Sequence, residues 1–248
     1  MIRLIIAAIY AFLSVVLLYP YHIYLWILSK KDQYKSWYKS WKLVKGFFEG
    51  LLHIAGTKIE VRGAENLDKI PKEQGILLIG NHRSYFDIIV LQTILGRPMG
   101  FIAKKEFSRV PLFGHWVTDI GAVFMDRKDV RAGLESIKTG TEYMKKGLSL
   151  GLYPEGTRNH KAELLPFKKG GYRMAKNAEC PIILVAATGL DDIFENNKPA
   201  ALKKKHVIVE FSEPIYPHQM SKDECNAVYD QFPARIQAML DTHKDSKM

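Results

Sequence analysis

The chain has 248 residues, 47% of them hydrophobic, which suffices for one good-sized α/β domain plus a short extra element. Its 36 Lys and Arg against 26 Asp and Glu give a formal net charge of +10, so an anionic partner is expected: nucleic acid, anionic lipid or a phosphorylated substrate. No zinc-finger spacing, RNP-like aromatic strand or heptad-bearing basic region is present, which sets nucleic acid aside. Cys180 and Cys225 form no C-x-x-C pair, and no H-E-x-x-H occurs, so neither a disulfide framework nor a metal or other cofactor is expected.

Leu4 to Leu28 is almost wholly apolar and uncharged, long enough at ~1.5 Å per residue to cross a ~30 Å hydrocarbon layer. Only Arg3 precedes it and no small-x-small site follows, so a membrane segment is expected rather than a cleaved signal peptide. Pro20 removes a helical hydrogen bond and leaves a re-entrant or oblique path open. Lys30, Lys31, Lys35, Lys39, Lys42 and Lys45 come next, and this positive bias puts everything after residue 30 on the cytoplasmic face. In the same stretch Trp37, Trp41, Val44, Phe48 and Leu51 recur at steps of four and three, with Lys35, Lys39 and Lys42 opposite. That pattern predicts a helix in the headgroup plane, with its aromatics toward lipid. The alternative is an amphipathic helix packed on its own domain.

From residue 57 short apolar runs alternate with helical patterns. Strands are expected at Lys58 to Val61, Ile76 to Ile79, Met99 to Ala103, Gly121 to Met125, Leu150 to Tyr153, Ile182 to Ala187 and Val207 to Phe211. Helices are expected near 87–95, 129–146, 170–178 and 221–240. The fold class is therefore α/β, a mixed, mostly parallel sheet flanked by helices, with an N-terminal membrane-associated helical segment. The expected division is 1–56 for that segment and 57–248 for a catalytic domain, with Asp191 to Lys205 a surface loop.

The run from Gly80 to Asp87 (Gly-Asn-His-Arg-Ser-Tyr-Phe-Asp) joins an expected strand to an expected helix, a crevice where open α/β sheets bind ligands. A neutral hydroxyl is a poor nucleophile until its proton is being removed, and His82 is the residue type that can take such a proton near neutral pH. Asp87 lies about one helical turn on, where it can fix the tautomer of His82 and stabilise the imidazolium. Ser84 and Asp87 also match the S-x-x-[DE] capping pattern, so a purely structural reading stands beside the catalytic one. Two further strands end in charge: Gly121 to Arg127 closes on Asp126-Arg127, and Tyr153 to Arg158 reads Tyr-Pro-Glu-Gly-Thr-Arg. Arg127 and Arg158 at strand ends suit recognition of one phosphate. Gly156 would let backbone approach the ligand, and Glu155 could accept from a glycerol hydroxyl.

These blocks, together with Lys104-Lys105-Glu106-Phe107, Pro166 to Gly170 and Pro181 to Val185, resemble the 1-acyl-glycerol-3-phosphate acyltransferase family, the lysophosphatidic acid acyltransferases, over residues 57 to about 215. The resemblance implies transfer of a fatty acyl group to the sn-2 hydroxyl of lysophosphatidic acid, giving phosphatidic acid. It implies acyl-CoA or acyl carrier protein as donor, a lysophospholipid acceptor, a membrane bilayer as partner and no cofactor. His82 would be the general base and Asp87 its orienting partner. Arg127 and Arg158 would hold the acceptor phosphate with Lys104 or Lys105 assisting, and Glu155, Gly156 and Thr157 would shape the acceptor site. Tyr153 stands where the family usually has Phe, and Leu184 where a second Pro is common.

Other acceptors, namely glycerol 3-phosphate or another lysophospholipid, fit the same residues. A serine hydrolase is suggested by Gly147-Leu148-Ser149-Leu150-Gly151, but the expected strand follows this serine instead of preceding it, the reverse of a nucleophile elbow. A basic lipid-binding module would use Arg127 and Arg158 without needing His82 and Asp87. No activated Ser or Cys accompanies His82, so direct transfer without an acyl-enzyme is expected.

Overall fold

The computed structural model describes residues 1–126, 129–161 and 163–245. Among them seven strands form one sheet: β1 (Lys58–Arg62), β2 (Leu77–Gly80), β3 (Met99–Lys104), β4 (Val123–Met125), β5 (Ser149–Leu152), β6 (Ile182–Thr188) and β7 (His206–Phe211). Their spatial order is β1-β7-β6-β2-β5-β3-β4, and every neighbouring pair is parallel except β6 with β7. The C-terminal ends of β2, β3, β4, β5 and β6 therefore lie along one edge of the sheet.

The helices are α1 (Ile2–Leu17), α2 (Tyr19–Lys31), α3 (Gln33–Ala55), α4 (Glu65–Asp68), α5 (Phe86–Ile94), α6 (Phe113–Asp119), α7 (Val130–Lys145), α8 (Arg173–Asn177) and α9 (Lys222–Asp245). The two-residue alternation of β2 explains how they cover both faces. Leu78 packs in a cluster with Ile183 and Val185, Leu52 and Ala55 of α3, and Val90 and Leu91 of α5. Leu77 and Ile79 point the other way, into a cluster with Leu150, Leu184, Met144 of α7, Met174 of α8 and Phe232 of α9. Strands buried on both sides carry apolar residues at successive positions, which is why they read as continuous runs.

Local sequence accounts for the boundaries. The expected strand from Gly121 shortens to Val123–Met125 because Gly121, at φ +79, closes the last turn of α6, where its N–H meets the Thr118 carbonyl at 2.9 Å. Ser221 and Glu224 form a reciprocal capping box at the start of α9: Ser221 N–H donates to Glu224 Oε2 at 2.7 Å, and Glu224 N–H donates to Ser221 Oγ at 3.2 Å. The helix expected near 170–178 divides into a 3-10 turn over Lys169–Tyr172 and α8.

Two expectations for the N-terminal region need correction. The apolar stretch is not one membrane-crossing helix: α1 and α2 meet at 50°, and among the described residues no single helix is long and apolar enough to cross a membrane. Pro20 sits in the first turn of α2, where its missing N–H costs nothing, and the break falls just before it. Nor does α3 turn its aromatic face to lipid. Trp37 is buried with its ring edge-on to Tyr143 at 4.8 Å, and Trp41 is buried with its indole N–H donating to the Gln92 carbonyl of α5 at 3.1 Å. The strand-helix layers offer this stripe a protein surface, and packing there replaces the lipid contact. Exposed apolar side chains lie instead on α1 and α2, among them Ile5, Ile9, Phe12, Leu17, Ile23 and Trp26.

At the end of α9, His243 is fully buried, with Nδ1 2.6 Å from Thr188 Oγ1 and Nε2 2.9 Å from Glu210 Oε2. Burial holds its pKa below the ordinary imidazole value, against the opposing pull of the Glu210 carboxylate. The unfolded chain thus binds this proton more readily, so stability is complete above about pH 6.5 and declines as pH falls below it. Between about pH 7.5 and about pH 5.5 the thermal midpoint of the wild type should fall more steeply than that of His243→Gln, read by scanning calorimetry at both values.

Candidate active site

The site is built on the loop after β2. Asn81 is buried and locks this loop to β6: its amide donates to the Ala187 carbonyl and its oxygen accepts from Ala187 N–H, each at 2.9 Å. His82 Nδ1 lies 2.7 Å from Asp87 Oδ2, and the same oxygen accepts from the N–H groups of Arg83 at 2.8 Å and Ser84 at 2.9 Å. Ser84 Oγ in turn accepts from Phe86 N–H at 2.9 Å. One carboxylate thus gathers the loop that precedes α5 and meets His82: the bonds to Arg83 and Ser84 N–H are what aim Asp87 at the imidazole.

A carboxylate only accepts, so Nδ1 donates in this bond. The Asp87 side chain is 2% exposed and that of His82 18%, which shields the carboxylate and leaves the imidazole reachable from solvent. The imidazole stacks on Tyr153 with centroids 4.2 Å apart and planes 20° apart, fixing the ring tilt. Burial, and then the charge of Asp87, hold the Tyr153 hydroxyl well above the usual phenol pKa, so it stays neutral.

The loop after β5 supplies the neighbours. Glu155 Oε1 accepts from His82 N–H at 3.0 Å, while Oε2 accepts from Asn159 Nδ2 at 2.8 Å and from Leu165 N–H at 3.0 Å. Asn159 N–H closes the circuit on the His82 carbonyl at 2.7 Å. The carboxylate expected to meet a glycerol hydroxyl is buried and braces the backbone of His82. Gly156 turns the chain at φ +75, in the left-handed region glycine enters without strain, and Thr157 is exposed beside it. Arg158 then reaches back to the β2 loop: its guanidinium lies 3.8 Å above the Tyr85 ring, Nη2 donates to the Tyr85 hydroxyl at 3.0 Å, and Nη1 lies 3.4 Å from Glu195 Oε1. Its side chain is 30% exposed and has further N–H groups to offer an anion.

The remaining expected cations are less closely tied to His82. Lys104 ends β3, two strands from β2 and so about 10 Å across the sheet, and Lys105 pairs with Asp126 at 3.5 Å. Both are exposed. Arg127 lies outside the described residues.

Two carboxylates of the site were not legible in the sequence. In the segment expected to be a surface loop, Asp191 accepts from Arg83 Nε at 3.3 Å, and Glu195 accepts from Ser84 Oγ at 2.9 Å and Tyr85 N–H at 2.8 Å. The available signal was small: Leu190 and Ile193, both buried, punctuate the polar run and fasten it to the core.

Ser149 sits at the opposite edge, where β5 begins, fully buried, with Oγ accepting from Ile76 N–H at 3.2 Å. Gly151 follows because a Cβ there would come within 2.6 Å of the Phe101 ring. Ser149→Ala should lose about 1 kcal/mol of stability, since it leaves one buried N–H without its acceptor. Unchanged turnover in the folded variant would exclude Ser149 as a nucleophile, and a folded but inactive variant would reopen the hydrolase reading.

The family model described as Acyltransferase matches residues 58–188. Over 209 residues the chain is 30% identical to a 1-acyl-sn-glycerol-3-phosphate acyltransferase of Saccharomyces cerevisiae, covering 83% of this chain and 66% of that one. Over 146 residues it is 31% identical to the enzyme of the same name from Borreliella burgdorferi, covering 59% and 57% respectively. The chain thus spans somewhat under two thirds of the length of these relatives. Among solved structures it is similar to the 1-acyl-sn-glycerophosphate (LPA) acyltransferase PlsC of Thermotoga maritima, with a TM-score of 0.73 at 21% identity over 96% of this chain and 95% of that one. That likeness shows the fold.

Proposed function

The chain belongs to the Acyltransferase family, and from that premise we propose that it moves a fatty acyl group from a thioester donor, acyl-CoA or acyl carrier protein, to the sn-2 hydroxyl of lysophosphatidic acid, forming phosphatidic acid for phospholipid biosynthesis. The observation that carries this reading is the pairing of His82 with Asp87 at 2.7 Å beside a guanidinium, that of Arg158, which is anchored on the same loop through Tyr85. A base and a phosphate-binding cation at one sheet edge are what a phosphorylated alcohol needs in order to become a nucleophile.

His82 Nε2 removes the acceptor hydroxyl proton as that oxygen attacks the thioester carbonyl. Asp87 stabilises the imidazolium formed. The tetrahedral intermediate collapses with cleavage of the C–S bond, and the imidazolium returns its proton to the departing thiolate, leaving ester, thiol and neutral base. Arg158 grips the acceptor phosphate and aligns the alcohol, with Lys104 and Lys105 supplying further positive charge at the end of β3 and Arg127 assigned to the same phosphate by the family resemblance.

We read residues 1–56 as the membrane-associated part and 57–248 as the catalytic domain. The exposed apolar side chains of α1 and α2 fit insertion into one leaflet, and the exposed Phe107, Val110, Leu112 and Phe113 extend the apolar surface near the α2–α6 contact. The lysines at the end of α2 and along α3 favour the cytoplasmic face.

The test is an assay of the purified full chain with an acyl thioester and paired acceptors that differ only in the phosphate. Lysophosphatidic acid should be acylated with release of free thiol, and the phosphate-free monoacylglycerol about tenfold to a hundredfold less efficiently. Equal use of the two, or transfer to water alone, would rule the reading out.

A further inference from the structure

Glu195 belongs to a segment with no assigned role, yet its carboxylate is a junction of the site. It accepts from Ser84 Oγ at 2.9 and 3.1 Å, from Tyr85 N–H at 2.8 Å, and lies 3.4 Å from Arg158 Nη1. Three groups from two loops, after β2 and after β5, thus meet on one side chain from a third, after β6. We infer that Glu195 is a positioning residue for acceptor recognition, holding Arg158 at a fixed place relative to the His82–Asp87 pair; the inference rests on the function proposed above.

The alternative is a gate, in which Glu195 occupies the phosphate's place and is displaced by it. Burial and anchoring decide against it. The Glu195 side chain is 9% exposed while Arg158 is 30% exposed, so the carboxylate lies behind the guanidinium instead of in the open mouth. Its loop is not free to swing. Leu190 and Ile193 are buried in the core, and Asn197 Nδ2 donates to the carbonyls of Asp192 at 3.1 Å and of Ile193 and Ala201 at 3.0 Å each.

The bonds to Ser84 and Tyr85 fix the turn that carries Asp87 and, two residues before Ser84, His82. The ion pair fixes one end of the guanidinium, while the Tyr85 ring supports its face. Arg158 is thereby held before the acceptor arrives, so the ordering cost is not charged to acceptor binding.

The experiment is a double-mutant cycle with steady-state constants for lysophosphatidic acid and for monoacylglycerol. Glu195→Gln keeps an oxygen for Tyr85 N–H and Ser84 Oγ but loses the charge. It should raise the lysophosphatidic acid KM about threefold to tenfold with kcat within about threefold, and leave monoacylglycerol unchanged. Placed in an Arg158→Ala background, the same change should have no further effect on KM, because it acts through that guanidinium. Glu195→Ala should lose more, in kcat as well, by loosening the turn. A lower KM in Glu195→Gln would establish the gate and overturn the positioning role. Equal KM in Glu195→Gln and wild type, or additivity with Arg158→Ala, would reduce Glu195 to a structural contact and overturn it too. Should the wild type show no preference for the phosphate-bearing acceptor, it is the functional reading that fails, and the cycle separates the two.

Discussion

His82→Ala should lower acyl transfer by about 10²–10⁴-fold or more and leave the protein folded. The size follows from what is removed. Without Nε2 the acceptor alcohol must attack as a neutral hydroxyl or give its proton to water, and no second imidazole among the described residues is hydrogen-bonded to Asp87. The fold should survive because the side chain of His82 contributes one stacking contact and one hydrogen bond at a partly exposed position, whereas its backbone is held independently by Glu155 and Asn159. Circular dichroism and thermal melting report the second statement, and thiol release from acyl-CoA in the presence of lysophosphatidic acid reports the first. Near-normal turnover in the purified variant would remove His82 from the mechanism.

Asp87→Asn should produce a loss of the same order, about 10²–10⁴-fold, for a different reason. Asparagine fills the same volume and its oxygen can still accept from Arg83 and Ser84 N–H, so the start of α5 should hold, with about 1 kcal/mol lost from the weaker cap and the missing negative charge at the helix N-terminus. The imidazolium is what suffers. It forms during attack beside a neutral amide, and an amide turned the other way presents N–H to Nδ1 and shifts the ring proton to Nε2, where the base is required. Asp87→Ala should lose both activity and the turn, which makes the Asn variant the informative one. If Asp87→Asn transfers at a rate within about threefold of the wild type, Asp87 is only a cap.

Much of the sheet was legible because buried parallel strands are continuous apolar runs: each expected strand has a counterpart, displaced by a residue or two. The His82–Asp87 pair was legible because its spacing is local, five residues across one strand-to-helix turn. What escaped depends on contacts between distant segments. The aromatic stripe of Trp37 and Trp41 has the same periodicity whether it meets lipid or the neighbouring protein layer, and only tertiary packing chose the latter. Pro20 marked a disturbance but not its geometry, a 50° bend between two helices. Glu195 was invisible for the same reason: its partners Ser84, Tyr85 and Arg158 are 111, 110 and 37 residues away, and a glutamate in a polar loop reads as solvated. Glu155 shows the complementary case, a residue whose place beside His82 was evident while its bonds to the His82 backbone, Asn159 and Leu165 were not.

The account turns on one pocket serving both the proton and the phosphate, and Arg158→Ala addresses that most directly. Its kcat/KM should fall about tenfold to a hundredfold on lysophosphatidic acid, the worth of one charge-assisted contact to phosphate, and stay unchanged on monoacylglycerol. The two acceptors would then be used almost alike. An equal loss on both, or none on either, would contradict it.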